Sequence, residues 1–258
     1  MFIASVFVLM IGLAVGSFLN VVIYRLPRGE SLWYPPSHCP KCGAFIKWYD
    51  NIPLVSFLIL KGKCRNCQGF ISWRYPLVEA LTSALFLTCF LFHSPLSLSS
   101  LLFFFKDILF IIILIPIFFI DIEKGIIPNK LSYSLIICGF LLSLITKDTF
   151  SSLIGIGLGT GIFLAIFALG SLWLKQAGTG MGDVKLAAGI GAFLGYKEAL
   201  LCIFLSVILG GIVATGLLLA HIKGRKDRIP FAPFLVASAL ISLFWGKNII
   251  HFYLSLIW

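Results

Sequence analysis

Ile108-Leu-Phe-Ile-Ile-Ile-Leu-Ile-Pro-Ile-Phe-Phe-Ile120 runs thirteen residues without a charge and then meets Asp121. Such a run, set in further apolar sequence, has no face to offer water and reads as part of a membrane-spanning helix. A carboxylate at its end costs a few kcal/mol or more at membrane depth and is rarely kept there without a task. A second carboxylate sits in a matching place. Gly178-Thr-Gly-Met-Gly-Asp-Val-Lys-Leu186 sets Asp183, sixty-two residues after Asp121, behind a glycine-rich turn at the start of another apolar segment.

The composition agrees with a membrane setting. Of 258 residues, 60% are hydrophobic and only 12% charged, about half the charged share of a soluble domain. The net charge of +10 could serve nucleic acid, but no recognition motif accompanies it. Cytoplasmic loops of membrane proteins collect Lys and Arg in the same way. Nucleic acid is therefore excluded as a partner, and the lipid bilayer takes its place. The first apolar segment has no basic residue before it, so it is read as a span and not as a removed signal.

The expected fold is an all-α polytopic integral membrane protein with about eight transmembrane helices. They are placed near 3–25, 76–93, 103–121, 129–146, 151–174, 184–196, 199–221 and 231–246. The sixth is short and glycine-rich and reads as a half-span or a helix lying against others. With the N-terminus outside, the inner regions 25–75, 122–130, 175–185 and 222–230 hold sixteen of the twenty Lys and Arg residues. That asymmetry obeys the positive-inside rule, and the inverted arrangement violates it. It also brings Asp121 and Asp183 to one side, the cytoplasmic face. Three parts are expected: 1–25, a first span; 26–75, a cytoplasmic loop domain; and 76–258, the membrane domain.

The loop holds Cys39-Pro-Lys-Cys42 and Cys64-Arg-Asn-Cys67, twenty-one residues apart. Paired knuckles of this spacing suit tetrahedral zinc, and a reducing compartment argues against disulfides. Four thiolates leave no open position, so the expected zinc is structural. The bland alternative is four free cysteines capping tight turns. Trp33, Tyr34, Trp48, Tyr49, Trp73 and Tyr75 make the loop aromatic, which places it on the bilayer surface. In the fifth span, Gly155-xxx-Gly159 reads as a close helix-packing surface.

Two close carboxylates that share a proton can hydrolyse a peptide bond without metal. The ionised one accepts a proton from the attacking water, and the protonated one supports the carbonyl oxygen. Gly180 and Gly182 fit this chemistry, because glycine lets a substrate strand approach Asp183 closely. The working reading is an intramembrane aspartyl protease. Its plainest alternative makes Asp121 a solvated helix end and Asp183 a helix cap. A proton-coupled transporter and a non-enzymatic zinc-bearing scaffold are rivals from other classes; a carrier would favour a midplane site and internal repeats.

At these residues the chain resembles the bacterial type IV prepilin leader peptidases of the GxGD aspartyl protease group. Gly16-Ser-Phe-Leu-Asn-Val-Val-Ile-Tyr-Arg-Leu-Pro27 is similar to the family's N-terminal signature. The cysteine pairs, Asp50-Asn-Ile-Pro-Leu-Val-Ser56 and Arg74-Tyr-Pro-Leu-Val-Glu79 are similar to its loop domain. Residues 121–129 and Gly180-Met-Gly-Asp-Val-Lys-Leu186 resemble its two catalytic segments. Ile229-Pro-Phe-Ala-Pro-Phe-Leu235 resembles a late motif that usually has Gly where Ala232 stands here.

The resemblance implies catalysis by Asp121 and Asp183 in the cytoplasmic (inner) membrane. The implied substrates are precursors of type IV pilins or type II secretion pseudopilins, cut after Gly at the cytoplasmic face. It also implies N-methylation of the new N-terminus from S-adenosylmethionine, with Asn51, Gly62 and Glu79 nominated for that step. A peptidase without methyl transfer is the near alternative.

Overall fold

The computed structural model describes residues 1–94, 97–174, 180–222 and 229–257, with backbone alone at 170–174 and 257. Gly178 and Thr179, and the basic stretch 223–228, lie outside the described residues. Every expected span is a helix: α1 Phe2–Arg25, α3 Arg74–His93, α4 Leu98–Lys124, α5 Asn129–Thr146, α6 Thr149–Leu174, α7 Met181–Leu194, α8 Tyr196–Leu219 and α9 Ala232–Ile257. A short helix, α2 Val55–Ile59, lies in the loop region. No strand occurs among the described residues, only two isolated bridges.

Among the described residues, seven helices are long and apolar enough to cross a membrane. Of the eight expected spans, the exception is α7. Its 14 residues reach only about 21 Å at 1.5 Å per residue, against a hydrocarbon core of about 30 Å. The last helix runs eleven residues beyond the expected end at 246. Gly246 and Lys247 look like a stop in sequence. A single helical Gly costs only about 1 kcal/mol relative to Ala, too little to end a helix whose apolar pattern resumes at Ile249.

The chain forms two compact units, Met1–Pro116 and Ile117–Trp258, the boundary falling at Pro116 inside α4. In the first unit α1 and α3 pack backbone to backbone. A Cβ added at Gly12 would meet Ser83 Cα at 2.6 Å, and one at Gly16 would meet Glu79 Cα at 2.7 Å. Polar side chains bridge the same seam. Asn20 Nδ2 donates to the Tyr75 carbonyl (3.1 Å), and Ser83 Oγ to that of Leu9 (2.9 Å). Beyond α3, His93 Nε2 meets Asp107 Oδ2 at 2.6 Å.

The second unit is built around α7, buried at nearly every position from Asp183 to Phe193. Small residues make this possible. A Cβ at Gly155 would lie 2.4 Å from the Gly191 carbonyl oxygen, and one at Gly191 would lie 2.2 Å from that of Gly155. One turn on, Gly159 meets the Ala187 carbonyl oxygen at 2.6 Å, while Gly157 and Gly161 face open space. The expected i, i+4 glycine surface on α6 is thus the seat of α7, the small-residue packing that serves helices where lipid weakens hydrophobic drive. Outer faces carry exposed apolar side chains such as Phe204, Ile212 and Leu219.

Candidate active site and four-cysteine centre

Asp121 lies in the last turn of α4. Its carbonyl accepts from Gly125 N–H (2.8 Å), and Gly125, at φ +65°, ends the helix in the left-handed region that favours glycine. The Asp121 side chain is 5% exposed and accepts a hydrogen bond from the Ala232 N–H, the first amide of α9. The next three residues offer no competing amide. Pro233 has no N–H, and the amides of Phe234 and Leu235 both donate to the Phe231 carbonyl (3.0 and 3.3 Å). Ala232 stands in the late motif, and a helix N-terminus favours a carboxylate.

Asp183 is the third residue of α7, and it is held the same way by its own helix. Gly180 N–H donates to Asp183 Oδ2 (3.1 Å), and Asp183 N–H donates to the Gly180 carbonyl (3.0 Å). The two carboxylates, remote in sequence, are close enough for their charges to act on each other. Each is tethered by a backbone amide at a helix start, and both are buried.

The two glycines of the turn have different surroundings. A Cβ on Gly182 would meet Ile127 Cβ at 3.0 Å, so this residue lets α7 seat against the α4–α5 turn. Gly180 meets nothing closer than Asp183 Oδ2 at 3.7 Å and is the one with room beside it. Lys185 ties the first turns of α7 and α5 together: its Nζ donates to Asn129 Oδ1 (2.8 Å) and lies 5.0 Å from the Tyr133 ring centroid.

In the other unit, Cys39, Cys42, Cys64 and Cys67 converge, with all four Sγ atoms within 4.8 Å of one another. The 3.9 Å between Cys39 and Cys67 Sγ is far beyond a disulfide bond of about 2.05 Å and close to the edge of a tetrahedron with bonds of about 2.3 Å. The four-thiol donor set fits a metal ion. Backbone amides of Cys67 and Asn66 hold the Cys64 thiol down at about 7. The Ala44 amide favours the Cys42 thiolate, yet burial and the neighbouring thiols push that group up to about 11.

The knuckles are two copies of one eight-residue module. In His38-Cys-Pro-Lys-Cys-Gly-Ala-Phe45 the Cys39 N–H donates to Ala44, Gly43 N–H to Cys39, and a bridge joins the ends. In Lys63-Cys-Arg-Asn-Cys-Gln-Gly-Phe70 the Cys64 N–H donates to Gly69, Gln68 N–H to Cys64, and the same bridge forms. The sequence signal of this repeat is the pair of matched Cys-x-x-Cys-x-x-Phe strings. Arg65, inside the second knuckle, clasps Asp50 through two hydrogen bonds (2.8 and 2.6 Å) and holds its carboxyl below the usual range.

The three nominated methyl-transfer residues are held in different ways. Glu79 Oε2 accepts from the Leu54 N–H (2.8 Å), its carboxylate also hydrogen-bonds Ser17, and Leu54 itself has φ +59°. Asn51 lines a cleft of about 390 Å³ against α1. Gly62 lies in a turn at φ +69°, where a Cβ would press on Phe57 Cζ at 3.2 Å, and it is not part of that cleft.

Seven membrane-length helices, two buried carboxylates and a four-thiol centre define a polytopic membrane protein with two chemically distinct sites. Comparison with known proteins names its family. Residues 10–93 match the bacterial peptidase A24 N-terminal domain, and residues 108–215 match the type IV leader peptidase family. A prepilin leader peptidase/N-methyltransferase of Legionella pneumophila is 36% identical, over 94% of this chain and 92% of its own length. Proteins of the same name from Aeromonas salmonicida (strain A449) and Bacillus subtilis (strain 168) are 34% and 32% identical. The first alignment covers 97% of this chain and 94% of the relative, the second 95% and 96%. No solved structure matches the chain. The chain belongs to the type IV leader peptidase family and is an enzyme with peptidase and methyltransferase activity.

Proposed function

We propose that the enzyme removes the basic leader from type IV prepilins or type II pseudopilins, after Gly and at the cytoplasmic membrane face, with Asp121 and Asp183 as the catalytic pair. The observation that carries this reading is that two buried carboxylates from distant helices lie within electrostatic reach of each other, each held by a helix-start amide. The ionised carboxylate takes a proton from water as its oxygen attacks the scissile carbonyl carbon. The protonated one donates to the carbonyl oxygen, and collapse of the tetrahedral intermediate expels the new amine with a proton. Gly180, open at its Cα, leaves room for the substrate chain beside Asp183.

The new N-terminus is then methylated from S-adenosylmethionine, which supplies an electrophilic methyl group when bound. Cys39, Cys42, Cys64 and Cys67 would hold one structural zinc ion, a reading supported by four thiols at tetrahedral spacing. The N-terminus lies outside the inner membrane, supported by the Lys and Arg asymmetry. The exposed indoles of Trp33, Trp48 and Trp73 support a loop region resting on the bilayer surface.

The test is a purified-protein assay with a prepilin and a labelled methyl donor. Asp121→Asn and Asp183→Asn should each abolish leader removal, a loss of at least about 10²-fold for an acid–base group, with the protein still inserted. Full processing by either variant would refute the pair. Leader removal without any label transfer would leave a peptidase alone.

A further inference from the structure

The cleft that Asn51 lines runs between one face of α1 and the segment 31–37, and two of the quoted sequence motifs meet there. Ser17, Phe18 and Arg25 come from the first, Asn51 and Pro53 from the second, and Trp33 from the segment between. Its volume, about 390 Å³, lies within the roughly 300–1,000 Å³ of small-molecule sites.

Arg25 is the informative wall. It is 5% exposed, and all its partners are neutral: Nη1 donates to the Ser31 carbonyl (2.9 Å), Nη2 to those of Pro35 (2.6 Å) and Pro36 (3.4 Å). Among the described residues no carboxylate pairs with it. A buried guanidinium without an opposite charge is expensive, and here it is pinned in place against a cleft. That is a prepared seat for an anionic group. Beside it, Phe18 and Trp33 hold their rings 6.1 Å apart, and Trp33 is 84% exposed. Aromatic faces of this kind attract cations and stack on planar bases. Asn51 adds an amide that both donates and accepts.

A carboxylate, a cation, a planar base and sugar hydroxyls in one small molecule describe S-adenosylmethionine. Resting on the methyl-transfer reading above, we propose that this cleft is the methyl-donor site. Arg25 receives the amino-acid carboxylate, Phe18 and Trp33 meet the sulfonium and adenine, and Asn51 meets a polar group. Glu79 is then a positioning residue, not a ligand. Through Ser17 on one side and the Leu54 N–H on the other, it joins the α1 wall to the segment that carries Asn51 and Pro53.

The test uses the full chain in lipid nanodiscs, titrated calorimetrically with unreactive S-adenosylhomocysteine. Trp33→Ala, Asn51→Ala and Arg25→Gln should each weaken binding, the last by about tenfold or more, as for a lost charged hydrogen bond. Because Arg25→Gln also frees segment 31–37, the exposed Trp33→Ala variant keeps the test sound if that protein misfolds. Wild-type binding that neither Trp33→Ala nor Asn51→Ala alters would overturn the cleft assignment and leave methyl transfer standing. Neither binding nor methyl transfer by the wild type would remove the methyltransferase reading, and this site with it. A photoreactive phospholipid that cross-links at Trp33 and is not displaced by S-adenosylhomocysteine would make the cleft a lipid groove.

Discussion

The four-cysteine centre and the carboxylate pair are built by opposite strategies. The first is local: two eight-residue modules, each closed by its own backbone hydrogen bonds, set four thiols together in a polar segment. The second is global: Asp121 and Asp183 come within electrostatic reach through the seating of α7 on α5 and α6 by glycine contacts, and α9 begins where its first amide can donate to Asp121. The difference teaches where each site is fragile. A local site fails when a ligand is lost, whereas a global one fails when distant packing is lost.

The sharpest way to break this contrast is at a thiol. On the zinc reading, Cys64→Ser should empty a site whose whole binding free energy is on the order of 10 kcal/mol, and expose the loop to protease. Metal analysis and limited proteolysis would show it. Methylation should fall more than leader cleavage; equal loss at equal protein level would mean the two regions are one site.

Gly191→Ala tests the other strategy. Its new Cβ would lie 2.2 Å from the Gly155 carbonyl oxygen, so two helix backbones must part. Overpacking of this kind costs about 1–3 kcal/mol or more. Thermal unfolding should shift down and leader cleavage fall, with zinc content unchanged.

Ala232→Pro is a narrower cut. Proline suits the first helical position but carries no N–H, so Asp121 loses its amide donor. A hydrogen bond to a charged group is worth about 1.5–3 kcal/mol, which predicts a fall in kcat of about 10- to 100-fold. Ala232→Gly, which keeps the amide, should lie much nearer the parent enzyme. Equal rates for the two variants would take that amide out of the mechanism. The smallest effect is expected at Gln68, whose φ of +54° occupies the place that Gly43 fills in the first knuckle. Gln68→Gly should relieve up to about 1 kcal/mol of backbone strain and slow zinc loss to a chelator; faster loss would count against equivalence of the two modules.

What the sequence makes legible follows the same division. Asp121 and Asp183 stand out because charge is rare in apolar sequence, and the cysteines stand out by spacing. Gly155 and Gly159 are readable as a packing stripe because their period is helical. The Ala232 contribution is not readable, since its chemistry belongs to the main chain and any residue but proline would look alike. Gly182 is open to misreading for a related reason. Its lack of a side chain favours substrate approach in principle, but Ile127 occupies that side. The end of α9 is missed because Gly and Lys together mimic a stop, although one helical Gly costs too little to end a helix whose apolar pattern resumes at Ile249.

By residue preference alone α7 would rank among the weakest helices, being short and rich in glycine. It is nevertheless buried along nearly its whole length, with α6 main chain pressed against Gly191 and Ala187. Hydrogen–deuterium exchange should therefore find it among the slowest-exchanging segments of the chain, slower than the longer and more conventional α8. Rigidity of that kind would keep the Asp183 side of the carboxylate pair in register.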